Sequence, residues 1–162
     1  MTGVQTCALP IFRRVFHTWG VSEADVDAKL LGLIPKETAV DLGLLASPMG
    51  VLVSLTTKAG GARPVSEAQL SSLAQEVRSR LKDCLFAEGR ETMEEVVGRL
   101  LIERKFTVAV AESCTGGLIG HRLTLVPGSS AYVDRGAITY SNQSKVEMLG
   151  VPEALKIGRA HV

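Results

Sequence analysis

The chain has 162 residues, 46% of them hydrophobic and 22% charged, with 18 Lys+Arg against 17 Asp+Glu. This is globular composition and excludes intrinsic disorder and fibrous repeats, while a net charge of +1 argues against a general polyanion binder. Apolar runs such as Val51 to Leu55 and Phe106 to Ala111 fall far short of the ~20 residues of a spanning helix, so no membrane partner is expected. Three cysteines (Cys7, Cys84, Cys114) have no CxxC spacing and an odd count, which supports neither a zinc site nor a disulfide framework. A reducing, cytoplasmic setting is expected.

The two ends stand apart from what lies between them. Gln5 to Ile11 and Ile157 to Val162 can be back-translated into strings of which the second is the reverse complement of part of the first. An inverted repeat of DNA has no folding rationale. It resembles a sequencing-library adapter read in frame at both ends, so residues 1–11 and 157–162 are expected to be non-native tails. The native stretch then runs from about Phe12 to Lys156, a fragment of a longer protein.

Within that stretch, Ser22-x-x-Asp25 resembles a capping box and opens a helix carrying Val26, Leu30, Leu31, Leu33 and Ile34. Ala39 to Ala46 and Val51 to Thr57 read as a hairpin around Ser47-Pro48-Met49-Gly50, and Gly60 to Pro64 as a loop. Ser66-x-x-Gln69 then opens a helix with a single apolar face: Leu70, Leu73, Ala74, Val77, Leu81, Cys84 and Leu85. The order is βαββα, with Leu70, Leu73, Val77 and Leu81 expected on the sheet and a boundary at Glu88-Gly89-Arg90.

A second unit, residues 91–156, opens with the capping box Thr92-x-x-Glu95 and a helix carrying Val96, Val97, Leu100 and Leu101. Phe106 to Ala111 reads as a strand, Glu112 to Gly117 as a Gly-rich turn, and the segment with Leu118, Ile119 and Leu123 as a helix. Pro127 to Ser130 breaks that helix. A strand over Gly136 to Tyr140 and a helix from Ser141-Asn142 to Leu149 follow, ended by Gly150 and Pro152. The fold class is α/β: a small α+β unit followed by the start of an α/β domain with fewer strands than a complete sheet.

Two constellations could carry chemistry. Free backbone N–H groups at the Glu112–Gly117 turn, with the hydroxyls of Ser113 and Thr115, could hold an anion; the plain alternative is glycines that only permit tight packing. Ser130 in its Pro-Gly loop, Tyr140 and Lys145 could form a nucleophile, a relay and a base. A lysine can be that base only when neutral. By spacing alone, turn residues and a solvated lysine account for them better. His17, His121 and Glu112 lack ligand spacing, so no metal is expected. Gly117-Leu-Ile-Gly120 matches a GxxG but lies in the wrong unit for a KH domain and lacks basic flanks.

The segments Ala111-Glu-Ser-Cys-Thr-Gly-Gly117, Val126-Pro-Gly-Ser-Ser-Ala131, Asp134-Arg-Gly136, Thr139-Tyr-Ser-Asn-Gln-Ser-Lys145 and Leu149-Gly-Val-Pro152 closely resemble the C-terminal domain of the CinA family. Residues 12–90 resemble, less specifically, the KH-like domain that precedes it in longer members. The resemblance implies a nicotinamide-nucleotide amidase, which converts nicotinamide mononucleotide to nicotinate mononucleotide and ammonia in pyridine-nucleotide salvage. It implies Ser130 as nucleophile, Lys145 as base and Tyr140 as relay, with Ser113, Thr115, Gly116 and Gly117 beside the substrate. No cofactor is implied. The family's later Gly-rich segment, an arginine that helps complete its site, and its N-terminal molybdopterin-binding-like domain have no counterpart here, so the chain alone is expected to be inactive. The expected partner is the nucleotide substrate; nucleic acid is not expected, and a homo-oligomer is left open. The competing reading is a non-catalytic KH-like binding or regulatory module.

Overall fold

The computed structural model describes residues 12–35, 37–58 and 65–155. Both tails, Lys156 and the Gly60–Pro64 loop lie outside the described residues. The chain divides into two compact units, Met1–Glu91 and Thr92–Val162. Among the described residues no helix is long and apolar enough to cross a membrane.

The first unit runs β1 (Arg13–Thr18), α1 (Glu23–Leu30), β2 (Val40–Ser47), β3 (Gly50–Thr57), α2 (Glu67–Leu81), β4 (Leu85–Glu88). Its sheet has the order β2-β3-β1-β4, and every neighbouring pair is antiparallel. That is the split βαβ arrangement of ferredoxin-like folds. It has one strand more than the βαββα expected: Leu85 to Glu88, read as the tail of a helix and a boundary, pair with β1 instead. A register shift between His17 and Thr18 accommodates this short edge strand.

Local chemistry sets the element ends. Ser66–Gln69 and Thr92–Glu95 form full capping boxes, each satisfying two amides reciprocally. At α1, Asp25 is one methylene shorter than Glu and accepts from the Ser22 hydroxyl at 2.6 Å; only the half in which Ser22 caps Asp25 N–H forms. At the other end the helix stops at Leu30, where Leu31 turns to φ −54, ψ 130, and Leu31, expected on the apolar face, is exposed. On β3 burial alternates residue by residue, so Val51, Val53 and Leu55 meet Leu70, Ala74, Val77 and Leu81 of α2 in one core with Phe16, Val26 and Leu30. Leu73 packs on the rim of that core and is only half-buried.

The second unit runs α3 (Met93–Arg104), β5 (Val108–Glu112), α4 (Leu118–Thr124), a 3-10 turn at Ser129–Ala131, β6 (Val133–Ile138) and α5 (Asn142–Leu149). Both strands are displaced from their expected positions, β5 toward Glu112 and β6 toward the N-terminus, starting three residues and ending two residues earlier. The reason is Tyr132, whose buried ring and backbone tie the start of β6 in place: Val108 N–H donates to Tyr132 O at 2.7 Å and Tyr132 O–H to Leu123 O at 3.0 Å. The strands pair in parallel, from Val108↔Val133 to Glu112↔Ile138.

Gly98, in the middle of α3, is where that ring fits. A Cβ there would stand 2.7 to 2.9 Å from Oη, Cζ and Cε1 of Tyr132. Alanine normally gains ~0.5–1 kcal/mol over glycine inside a helix, but overpacking a fixed ring costs ~1–3 kcal/mol. Gly98→Ala is therefore expected to destabilise the second unit by about 1–2 kcal/mol in denaturant melts. A stabilised variant would show that the ring yields.

Candidate active site

The turn after β5 is built around Glu112. The strand delivers this carboxylate into the interior, 4% exposed, where Ile119 N–H donates to Oε2 at 3.0 Å and Gly120 N–H to Oε1 at 2.8 Å. Burial pushes its pKa up, but the amides of Gly120 and Ile119, the Thr115 hydroxyl and the Gly117 amide outweigh it and hold the carboxyl below its usual range. The N–H groups expected to be free for an external anion are thus taken by the chain's own carboxylate, at the positive end of the α4 dipole. Leu118 N–H is also committed, to Thr115 O at 3.1 Å. Gly117 has φ +97 as the N-cap of α4, and a Cβ on Gly120 would touch Glu112 Oε1 at 3.4 Å. The Gly117–Gly120 pair is therefore packing for this anchor.

In the sequence Glu112 stands out only as a potential metal ligand without a partner at ligand spacing. The signal that could have found its role is position: a lone acid ending an apolar strand directly before a Gly-Gly helix start. Among the described residues, no group of three or more His, Cys, Asp or Glu is placed to hold a metal.

Because β5 and β6 are parallel, their carboxyl ends lie side by side. Thr139 N–H donates to Glu112 O at 2.8 Å, and the buried Thr139 hydroxyl donates to the same oxygen at 3.4 Å. Ser113 and Tyr140 are the next residues on each chain, so both leave from one edge of the sheet. Ser113 is half-buried, Thr115 and Gly116 are exposed, and Tyr140 is 62% exposed. Ser141 caps α5 by accepting from Ser144 N–H at 3.0 Å, which sets half-buried Lys145 one turn into that helix from the same edge.

Ser130 lies elsewhere. It is exposed in the 3-10 turn that precedes β6, at the amino end of the strand whose carboxyl end leads to Tyr140. At ~3.3 Å per residue, the six residues of β6 separate the two ends by roughly 17 Å. The fold brings Ser113 to the edge shared with Tyr140 and the start of α5, and does not bring Ser130 there. Among the described residues no hydrogen bond links Ser130, Tyr140 and Lys145 to one another.

A charged pair ties α4 to α3. Arg122 binds Glu94 of α3, and this hydrogen bond, against the opposing push of burial, lowers the Glu94 pKa. Both carboxyls have folded pKa values below their unfolded ones, about 4.3. Their stabilisation is present above that pH and is lost as pH falls through the folded values. The second unit should therefore melt progressively earlier below about pH 4. Glu112→Gln should lower the melting temperature at pH 7 and flatten the acid limb; an unchanged acid limb would show that Glu112 does not supply it.

Two family models match the chain: the damage-inducible protein CinA KH domain over residues 13–87 and the CinA C-terminal domain over residues 90–160. A competence-damage inducible protein of Caldicellulosiruptor bescii is 42% identical over 143 residues, 88% of this chain and 34% of its own length. A CinA-like protein of Syntrophus aciditrophicus is 44% identical over 146 residues, again 88% of this chain and 34% of its own. The crystal structure of the competence/damage inducible protein CihA from Agrobacterium tumefaciens is 50% identical over 37% of this chain and 38% of its own, with a TM-score of 0.34. The chain spans about a third of the length of the curated relatives it matches. With both domain models matched in order, it belongs to the CinA family.

Proposed function

We propose that the second unit contributes to a nicotinamide-nucleotide amidase site in the whole protein, acting on nicotinamide mononucleotide, and that its nucleophile is Ser113. One observation carries the choice of serine: the Thr139 N–H to Glu112 O bond joins the strand ends from which Ser113 and Tyr140 depart. Ser130 keeps its place as the alternative nucleophile from the family resemblance.

The chemistry is acyl transfer. Ser113 Oγ attacks the carboxamide carbon as its proton passes to the amine of Lys145, with the Tyr140 hydroxyl as relay. The tetrahedral intermediate collapses by breaking the C–N bond, and ammonia leaves with that proton. Water then hydrolyses the ester, giving nicotinate mononucleotide and the free serine. Glu112 holds the turn rigid, which fixes the serine backbone for attack. Thr115, Gly116 and Gly117 line the approach to it, and the substrate phosphate binds elsewhere, because the α4 amides are occupied.

The test is ammonia release from nicotinamide mononucleotide by the whole protein. Lys145→Ala should abolish it, and Tyr140→Phe should lower kcat with KM largely kept. A whole protein without deamidase activity would favour a non-catalytic binding or regulatory module.

A further inference from the structure

We infer that the first unit carries a separate ligand site, a cavity at the β1–β4 edge of its sheet that takes a small phosphate ester bearing a planar ring, the chemistry of a nucleotide. The inference stands independently of the amidase reading. The cavity, about 560 Å³, is lined by Arg13, Arg14, Val15, Glu88, Gly89 and Arg90, a size suited to a small organic molecule.

Charge pairing around it is incomplete in one direction. Arg14 reaches Glu67 of α2 at 3.3 Å. The Glu88 carboxylate is taken on both oxygens by Arg78, at 2.6 and 2.8 Å. The guanidinium groups of Arg13 and Arg90 have no hydrogen-bond or ion-pair partner among the described residues. Two unpaired guanidinium forks on one cavity present the donor geometry that phosphate oxygens accept bidentately. Beside them Gly89 has φ +71, and a Cβ there would meet no atom of the described residues within 4 Å.

The planar ring follows from what adjoins the cavity. On β1, Phe16 and Thr18 are buried toward the helices, so exposed Arg13 and half-buried Val15 and His17 share the opposite face. There the His17 and Phe86 rings pack with centroids 5.8 Å apart at 44°. His17 Nε2 lies 3.0 Å from Gly89 O, in the cavity wall. Partly exposed aromatic side chains beside a cavity offer ring faces on which a base can stack. A net charge of +1 over the whole chain matches a small ligand better than a polynucleotide.

The experiment is NMR titration of the 15N-labelled chain with AMP, inorganic phosphate and adenosine. AMP should shift the amides of Val15, His17, Gly89 and Arg90 saturably, and more tightly than either part alone. The Arg13→Gln/Arg90→Gln variant should weaken AMP binding about tenfold or more without moving the melting temperature, since neither guanidinium has a protein partner. If the double variant fails to fold, the single Arg90→Gln carries the same test. No shift at millimolar AMP, shifts confined to other residues, phosphate binding as tightly as AMP, or undiminished binding by the variants would each overturn the proposal.

Discussion

Replacing Ser113 by alanine in the whole protein is expected to cut ammonia release from nicotinamide mononucleotide by about 10⁴-fold or more, the usual scale for losing a nucleophile. Ser130→Ala is expected to leave most of the activity. The contrast rests on strand direction. In a parallel pair the two carboxyl ends coincide, and open α/β sheets place reactive groups beyond those ends. Ser113 follows Glu112 there, whereas Ser130 precedes β6 at the other end of the strand. The Ser113→Ala/Lys145→Ala double variant should be little worse than either single one, because a nucleophile and its base act as a unit. Full activity in Ser113→Ala with loss in Ser130→Ala would reverse the assignment.

Gly50→Ala should strongly destabilise the first unit. Gly50 closes the hairpin turn at φ +105, and a Cβ on it would fall 1.9 Å from the backbone oxygen of Thr18. That oxygen cannot retreat freely, because the fully buried Thr18 hydroxyl donates to Val51 O at 2.8 Å and locks the β1 end onto β3. A clash with fixed backbone, added to a left-handed conformation, should cost about 4 kcal/mol or more, a large part of a typical domain's 5–15 kcal/mol. Gly32 supplies the control. Its φ is +71 but a Cβ there meets nothing within 4 Å, so Gly32→Ala should cost only ~1–2 kcal/mol. Equal melting of the two variants would show that the close approach at Thr18 does not matter.

What the sequence reveals divides along physical lines. Helices with reciprocal caps and a single apolar face, α2 and α3, are legible because their determinants are local. The hairpin is legible for the same reason, a two-residue Pro48-Met49 turn between apolar runs. β4 escapes, since Leu85 continues the helical spacing of Leu81 and only pairing with β1 makes it a strand. The shift of β6 likewise depends on Tyr132 fitting against Gly98, a contact between residues 34 positions apart. At the site, the motif residues stand out in the sequence, but their grouping does not. Spacing along the chain brings Ser130 near Tyr140 and leaves Ser113 remote, and the parallel pairing inverts that order. The filling of the α4 amides by Glu112 is equally invisible until the turn is folded.

That Ser113 is the nucleophile is tested most directly by locating the acyl group. The whole protein is mixed briefly with nicotinamide mononucleotide, quenched in acid and cleaved with trypsin. Cleavage after Lys105, Arg122 and Arg135 places Ser113 in the peptide 106–122 and Ser130 in the peptide 123–135. Mass spectrometry should find the nicotinate mononucleotide ester on 106–122 and lose it in Ser113→Ala. The same ester on 123–135, or turnover with neither peptide modified, would contradict the assignment.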